Sequence, residues 1–324
     1  MRMPFANIKE MPKLGFGLWK VTEAEAATVV YEAIKVGYRH FDSACDYGNE
    51  RSVGAGIQRA LNEGLCERSD LWITSKLWNT YHHPDRIEQA LDRTLTDLGL
   101  EYLDLYLIHF PIALAFVPFE TRYPPEWTFD PEAAMPVMVP EKVTLADTWH
   151  GMEQLKSKGH VRHIGVANYN SGLLHDLMNY AECAPEVLQI ESHPYLTQDR
   201  LVAMATQYGV SVTAFSPLGA SSYVELDMAV PEESLLEDPV MLTIADRHRA
   251  TPAQIALAWG FHRGTSLVVK SVDSQRMQEN LGAVDIRLSE IELNEISGLN
   301  RGRRYNDPGQ FCEQAFNTLY PIYD

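Results

Sequence analysis

At 324 residues the chain has room for one large α/β barrel or two smaller domains, and 45% hydrophobic with 22% charged residues is an ordinary globular composition. A formal net charge of −17 argues against nucleic acid or anionic membrane surfaces as partners, so any anionic ligand must be met by a local cluster of Lys and Arg. The four cysteines (Cys45, Cys66, Cys183, Cys312) show no CxxC spacing, which excludes a disulfide framework or zinc site as an expectation and points to a reducing, cytoplasmic setting.

The opening residues, MRMPFANIKEMPKLG, lack the apolar centre of a signal peptide. Leu14 to Trp19 reads as a short buried strand, and Thr22 with Glu25 predicts a capping box for a helix running to about Val36. A second strand ends at Asp42, a helix spans about Glu50 to Glu63, and Leu71 to Lys76 is a third apolar run. Ile87, Leu91, Leu95 and Leu98 mark a helix from Pro84 to Leu98, and Leu103 to Phe110 is the fourth strand. The apolar stretch from Leu105 to Phe119 is broken by His109, Pro111 and Pro118 and is too short to span a bilayer.

A Pro-rich segment from Pro111 to about Val143 has no periodicity and reads as a functional loop. Beyond it lie a helix from Leu145 to Lys158 and strands at Val161 to Asn168, Val187 to Glu191, Val210 to Ser216 and Leu267 to Ser271, each preceded by a helix-like segment. A long loop from Pro217 to about Glu232 follows the seventh strand, and Arg301 to Asp324 reads as an irregular tail folded over one end. Eight nearly all-apolar strands alternating with helices predict a single-domain (β/α)8 TIM barrel, and the lack of GxGxxG after any strand counts against a doubly wound sheet. The strands end on Trp19, Asp42, Lys76, His109, Asn168, Gln189, Phe215 with Ser216, and Lys270 with Ser271. Such polar ends on greasy strands are expected to share a cleft, where barrel enzymes place their chemistry.

The stretch Tyr38 to Gly54, YRHFDSACDYGNERSVG, resembles the signature of the aldo-keto reductases through Gly37 to Ala44, Glu50 and Gly54. The resemblance covers roughly Leu14 to Pro308 and implies a catalytic tetrad of Asp42, Tyr47, Lys76 and His109. A phenol is a poor acid near neutrality, so a nearby Lys76 ammonium is expected to lower its pKa while Asp42 holds the lysine charged. His109 would donate a hydrogen bond to a carbonyl oxygen. The resemblance further implies a nicotinamide dinucleotide: Asn168 and Gln189 on its carboxamide, Phe215 stacked on the ring, and Ser216 and Leu218 beyond it. Ala167 stands where many members have Ser or Thr, so one hydrogen bond to the carboxamide is missing. Lys270, Ser271, Val272, Asp273 and Arg276, then Glu279 and Asn280, resemble the segment gripping the adenosine end, with Lys270 and Arg276 clamping the 2′-phosphate of NADPH. Asp273, where relatives often have Thr, and Glu225, similar to an acid that binds free ribose hydroxyls, bring NADH into reach as well.

Within the family the chain is most similar to sugar reductases of the xylose reductase type, through Leu107 to Ile112, Phe116 to Phe119, Tyr123 to Pro125, and Tyr305 to Pro308. That implies reduction of an aldose, with Asp46 and Asn306 bonding sugar hydroxyls, Trp19 packing on the carbon chain, and His109, Phe110 and Trp78 in the substrate site. Trp127 and Tyr81 are placed with Trp78 at the cleft mouth. Beyond Asp307 the tail departs from that pattern. Arg122, Arg301, Arg303 and Arg304 raise the alternative of an aldose 6-phosphate, and a redox-sensing nicotinamide-binding subunit is a second alternative. His82 and His83 lack any HxH or HExxH context, which makes a metal-dependent hydrolase a poor third and predicts no metal. A monomer or homodimer is expected.

Overall fold

The computed structural model describes residues 11–323, so most of the N-terminal stretch read for a leader, and the terminal Asp324, lie outside the described residues. Strands β1 (Leu14–Gly17), β2 (His40–Asp42), β3 (Trp72–Leu77), β4 (Leu103–Ile108), β5 (Val161–Ala167), β6 (Val187–Glu191), β7 (Ser211–Phe215) and β8 (Ser266–Val269) run parallel and close a barrel in sequence order. This is the (β/α)8 architecture expected from the alternation of apolar runs and helical patterns.

Side chains alternate in and out along each strand. Ile73 and Leu77, and Tyr106 and Ile108, join the main core beneath the surrounding helices, whereas Trp72, Leu105, Leu107, Ala167 and Val187 form a separate cluster. That cluster fills the barrel interior. Thr74 and Lys76 follow Trp72 at steps of two, Asp42 follows His40, and Gln189 follows Val187. The period therefore carries the polar strand-end residues inward, stacked above the apolar layer. The register aligns Asp42 with Thr74, Lys76 with Leu107, and Ala167 with Gln189.

Outside the barrel run α1 (Glu23–Val36), α2 (Glu50–Asn62), α3 (Pro84–Leu98), α4 (Leu145–Ser157), α5 (Ser171–Tyr180), α6 (Asp199–Gln207), α7 (Pro239–His248), α8 (Pro252–His262), α9 (Ser274–Gly282) and α10 (Glu290–Ser297). Gly54 of the signature has a packing role: a Cβ there would stand 2.4 Å from the Leu98 carbonyl oxygen, so only glycine lets α2 lie this close to α3.

Two local expectations fail. Thr22 caps nothing at the start of α1; its hydroxyl donates instead to the Glu25 carboxylate at 2.7 Å, removing both halves of the predicted box. The tail is not wholly irregular either, because Pro308–Phe316 forms a helix, α11, with Asp307 as N-cap and Pro308 in the first turn. The loop from 109 to 144 is long as predicted and is pinned by the bridge between Leu114 and Pro140. Among the described residues no helix is long and apolar enough to cross a membrane.

Candidate active site

At the C-terminal ends of the strands, Lys76 is buried, 1% exposed, and its ammonium has three oxygen partners. It donates to Asp42 Oδ1 at 2.6 Å, to the Ser43 carbonyl at 2.8 Å and to the Tyr47 phenol at 3.1 Å. Asp42 is held from its other side by Gln189 Nε2, which donates to Oδ2 at 2.6 Å. A buried ion pair of this kind is fixed in position because all three ammonium protons and both carboxylate oxygens have partners. The Tyr47 ring lies edge-on to His109, with centroids 6.0 Å apart. All four tetrad candidates thus converge on one point.

Burial raises the Tyr47 phenol well above its ordinary pKa, and the carboxylates of Asp42 and Asp46 push in the same direction. The sequence expectation was the opposite. Lys76 is close enough to stabilise a phenolate, yet desolvation and the two acids outweigh it, so the proton stays on the phenol through the neutral range.

Asp46 Oδ1 stands 3.1 Å from His109 Nδ1, but the two atoms are off the hydrogen-bonding line and each is buried without a partner. Asn168, which follows β5, adopts φ +62° and donates through Nδ2 to the His109 carbonyl at 2.8 Å. Its Oδ1 is a buried acceptor with no partner. Ser216, after β7, is also left-handed, φ +50°, and shares a 2.8 Å hydrogen bond with the Tyr223 hydroxyl. Strained strand-end residues around one cavity are a recurrent mark of a working site.

That cavity has a volume of about 530 Å³. Asp42, Tyr47, His109, Asn168, Gln189, Phe215, Ser216, Leu218 and Lys270 line it, with Trp19, Asp46, Phe110 and Asn306 from the predicted substrate set. Trp78 does not. It is fully buried behind the wall, its indole N–H donating to the Glu126 carbonyl at 3.0 Å and its ring packed edge-on against His109 and Trp127. Tyr81 is likewise buried and absent from the lining, whereas Trp127 does reach the cavity. The unexpected contribution is α11, whose Phe311 and Phe316 pack on Trp127 at 5.2 and 5.9 Å and close the outer side. The Asp307-Pro308 pair was the signal that could have revealed this helix.

Apart from Lys270, which lines the cavity, the adenosine-end candidates lie outside its lining, from Ser271 just before α9 to Glu279 and Asn280 in that helix. Asp273 caps that helix, Oδ1 accepting the Arg276 N–H at 2.9 Å, and its own N–H donates to Ser271 Oγ at 3.1 Å. Val272 and Arg276 are exposed, Asn280 is buried beside the Tyr38 hydroxyl, and the Glu279 carboxylate accepts from Gln275. Glu225 reaches across to Lys20, pairing at 2.7 Å, and Lys20 also donates to the Ser222 carbonyl at 3.0 Å, so the loop after β7 is latched to the loop after β1. The Lys20 bond lowers the Glu225 pKa.

None of the four arginines weighed for a sugar phosphate lines the cavity. Arg122 donates to the Pro125 and Thr128 carbonyls, and Arg303 pairs with Glu233 at 2.7 Å. Arg304 bonds Gln198 and sits over Tyr323, and Arg301 sits over Tyr195. Of the adjacent histidines, His82 is buried and His83 Nδ1 accepts the Asp85 N–H at the start of α3. Among the described residues no group of three or more His, Cys, Asp or Glu side chains is placed to hold a metal ion.

A closed parallel barrel with Asp, Tyr, Lys and His gathered over one end is the architecture of a known class of oxidoreductases. Residues 13–301 match the model of the aldo/keto reductase family, and the chain belongs to that family. Its relatives include a probable NAD(P)H-dependent D-xylose reductase of Emericella nidulans, 47% identical over 93% of this chain and 94% of that protein. The NAD(P)H-dependent D-xylose reductase of Kluyveromyces lactis is 42% identical over 97% of this chain and 96% of its own length. The NADPH-dependent D-xylose reductase of Meyerozyma guilliermondii is 46% identical over 92% and 94%.

Proposed function

We propose that this protein is an NAD(P)H-dependent aldose reductase that converts the aldehyde of a D-xylose-like sugar to its alditol, with Tyr47 as general acid. The observation that carries the reading is the Asp42–Lys76–Tyr47 chain beside His109, a preset proton donor at the wall of a cavity of about 530 Å³. Relatives that bear D-xylose reductase names and match over more than nine-tenths of both chains support the substrate class.

The residues fit a nicotinamide carboxamide, since the orphaned Asn168 Oδ1 is an acceptor for its N–H. When bound, the reduced dinucleotide supplies hydride. The protein supplies the proton. His109 and the Tyr47 phenol would hold the carbonyl oxygen between them, and Tyr47 passes its proton to that oxygen as negative charge develops. The phenolate left behind is stabilised by Lys76, 3.1 Å away, whose charge Asp42 maintains. Asp46 and the free Asn306 Oδ1 are acceptors suited to sugar hydroxyls, and Trp19 offers an apolar face to the carbon chain.

Lys270, at the cavity edge, and the exposed Arg276 are the cations we assign to a 2′-phosphate. Arg276→Ala is expected to raise the Kd of NADPH about tenfold and leave that of NADH nearly unchanged. Asp273→Thr keeps a capping oxygen for α9 while removing a negative charge, and should shift preference toward NADPH. Equal losses for both carriers in the Arg276 variant would put the clamp elsewhere.

Four free thiols support a cytoplasmic enzyme. The test of substrate class is initial-rate kinetics with D-xylose and with D-glucose 6-phosphate, each with NADPH and NADH. Greater efficiency on D-xylose is expected, because the arginines that a phosphate would need are engaged elsewhere. Greater efficiency on the phosphate would overturn the assignment.

A further inference from the structure

Glu191 is the last residue of β6, two positions beyond Gln189, and it is fully buried at 0% exposure. Its two oxygens point at the tail rather than at the reacting groups. Oε1 accepts the Tyr305 N–H at 2.9 Å and Oε2 accepts the Asn306 N–H at 2.8 Å. His193 Nε2, equally buried, stands 3.0 Å from Oε1. Among the described residues no Lys or Arg forms an ion pair with this carboxylate.

Burying a carboxylate without a full cationic partner is unfavourable, so the arrangement asks for a reason. Two consecutive backbone N–H groups facing one side chain need an acceptor at both positions, which a carboxylate provides and a side-chain amide does not. The residue so fixed is Asn306, which lines the cavity and whose Oδ1 is buried and unpartnered. Tyr223, another residue of the cavity wall, shares a 2.8 Å hydrogen bond with Ser216 through its hydroxyl. Tyr305 in turn stacks on Tyr223, with centroids 5.5 Å apart and planes at 17°. Glu191 thus sets where the Asn306 amide stands without touching any reacting atom.

We infer that Glu191 is a positioning residue for substrate selectivity: by clamping the backbone of Tyr305 and Asn306 it holds the amide that recognises a hydroxyl-bearing aldehyde. The inference rests on the aldose reductase reading above. An aldehyde without hydroxyl groups has no use for that amide, so the effect of Glu191 falls on sugars alone.

The test is Glu191→Gln, which keeps the shape but sets an amide donor against one of the two N–H groups. Relative to wild type, kcat/KM for D-xylose is expected to fall about tenfold, mainly through KM, while propanal turnover and NADPH binding stay within about twofold. In an Asn306→Ala background the same change should add little, because both substitutions act through one amide. Hydrogen exchange at the Tyr305 and Asn306 amides should accelerate in Glu191→Gln. Equal losses on D-xylose and propanal would reduce Glu191 to general support and overturn the proposal, and so would unaltered exchange. Failure of the underlying reading would look different: wild-type enzyme inert toward D-xylose, with exchange still faster in the variant.

Discussion

Tyr47→Phe is expected to abolish aldehyde reduction, lowering kcat by at least about a thousandfold, with NADPH affinity nearly unchanged. The substitution removes one oxygen, the one 3.1 Å from Lys76 Nζ, and leaves the ring against His109. Its effect should therefore be confined to proton delivery. Burial and the carboxylates of Asp42 and Asp46 hold the phenol well above its ordinary pKa, which fixes the sign of the pH dependence. Reduction needs the protonated phenol, present at all pH below that raised value, so Tyr47 imposes no loss of reductive activity through neutrality. Oxidation of the alditol needs the phenolate and should rise with pH. Turnover by Tyr47→Phe within a few-fold of wild type would remove the phenol from the acid role.

Lys76→Met combines two losses. The ammonium that stabilises the phenolate disappears, and kcat should fall by about a hundredfold to ten-thousandfold. Asp42, 3% exposed, is left as a buried carboxylate with Gln189 as its remaining side-chain partner, which should destabilise the fold by about 3–5 kcal/mol. Adding Asp42→Asn removes the uncompensated charge and should recover much of the stability without restoring turnover. Thermal melts and kcat measured on the single and double variants separate the two effects. Parallel recovery of both quantities would contradict the role given to Lys76.

Much of this site can be read in the sequence because strands have a two-residue period and barrel chemistry collects at one end. Once the eight runs are aligned, Asp42, Lys76, His109, Asn168 and Gln189 fall at their ends; Asp42, His109, Asn168 and Gln189 line one cavity, and the buried Lys76 bonds two of its lining residues, Asp42 and Tyr47. Trp78 was misplaced for a physical reason. A strand-end aromatic can turn to the cleft or to the packing behind it, and the Glu126 carbonyl and Trp127 draw this one behind the wall. The sign of the Tyr47 shift was equally hidden, since it depends on burial and on carboxylates brought close only by folding. In sequence Glu191 reads only as the end of a strand, because its partners, Tyr305 and Asn306, lie more than a hundred positions downstream. The α11 aromatics, Phe311 and Phe316, sat in a segment too short for helical periodicity to stand out.

Hydride from a nicotinamide carrier and a proton from Tyr47 are expected to meet in this cavity at the aldehyde carbon and oxygen of a sugar. The most direct test is turnover of D-xylose with NADPH deuterated at the transferring position of the nicotinamide C4, followed by NMR of the product. The expected result is xylitol with a single deuterium at C1, formed by wild type and not by Tyr47→Phe. Unlabelled product, or labelled product formed equally well by the variant, would contradict the account.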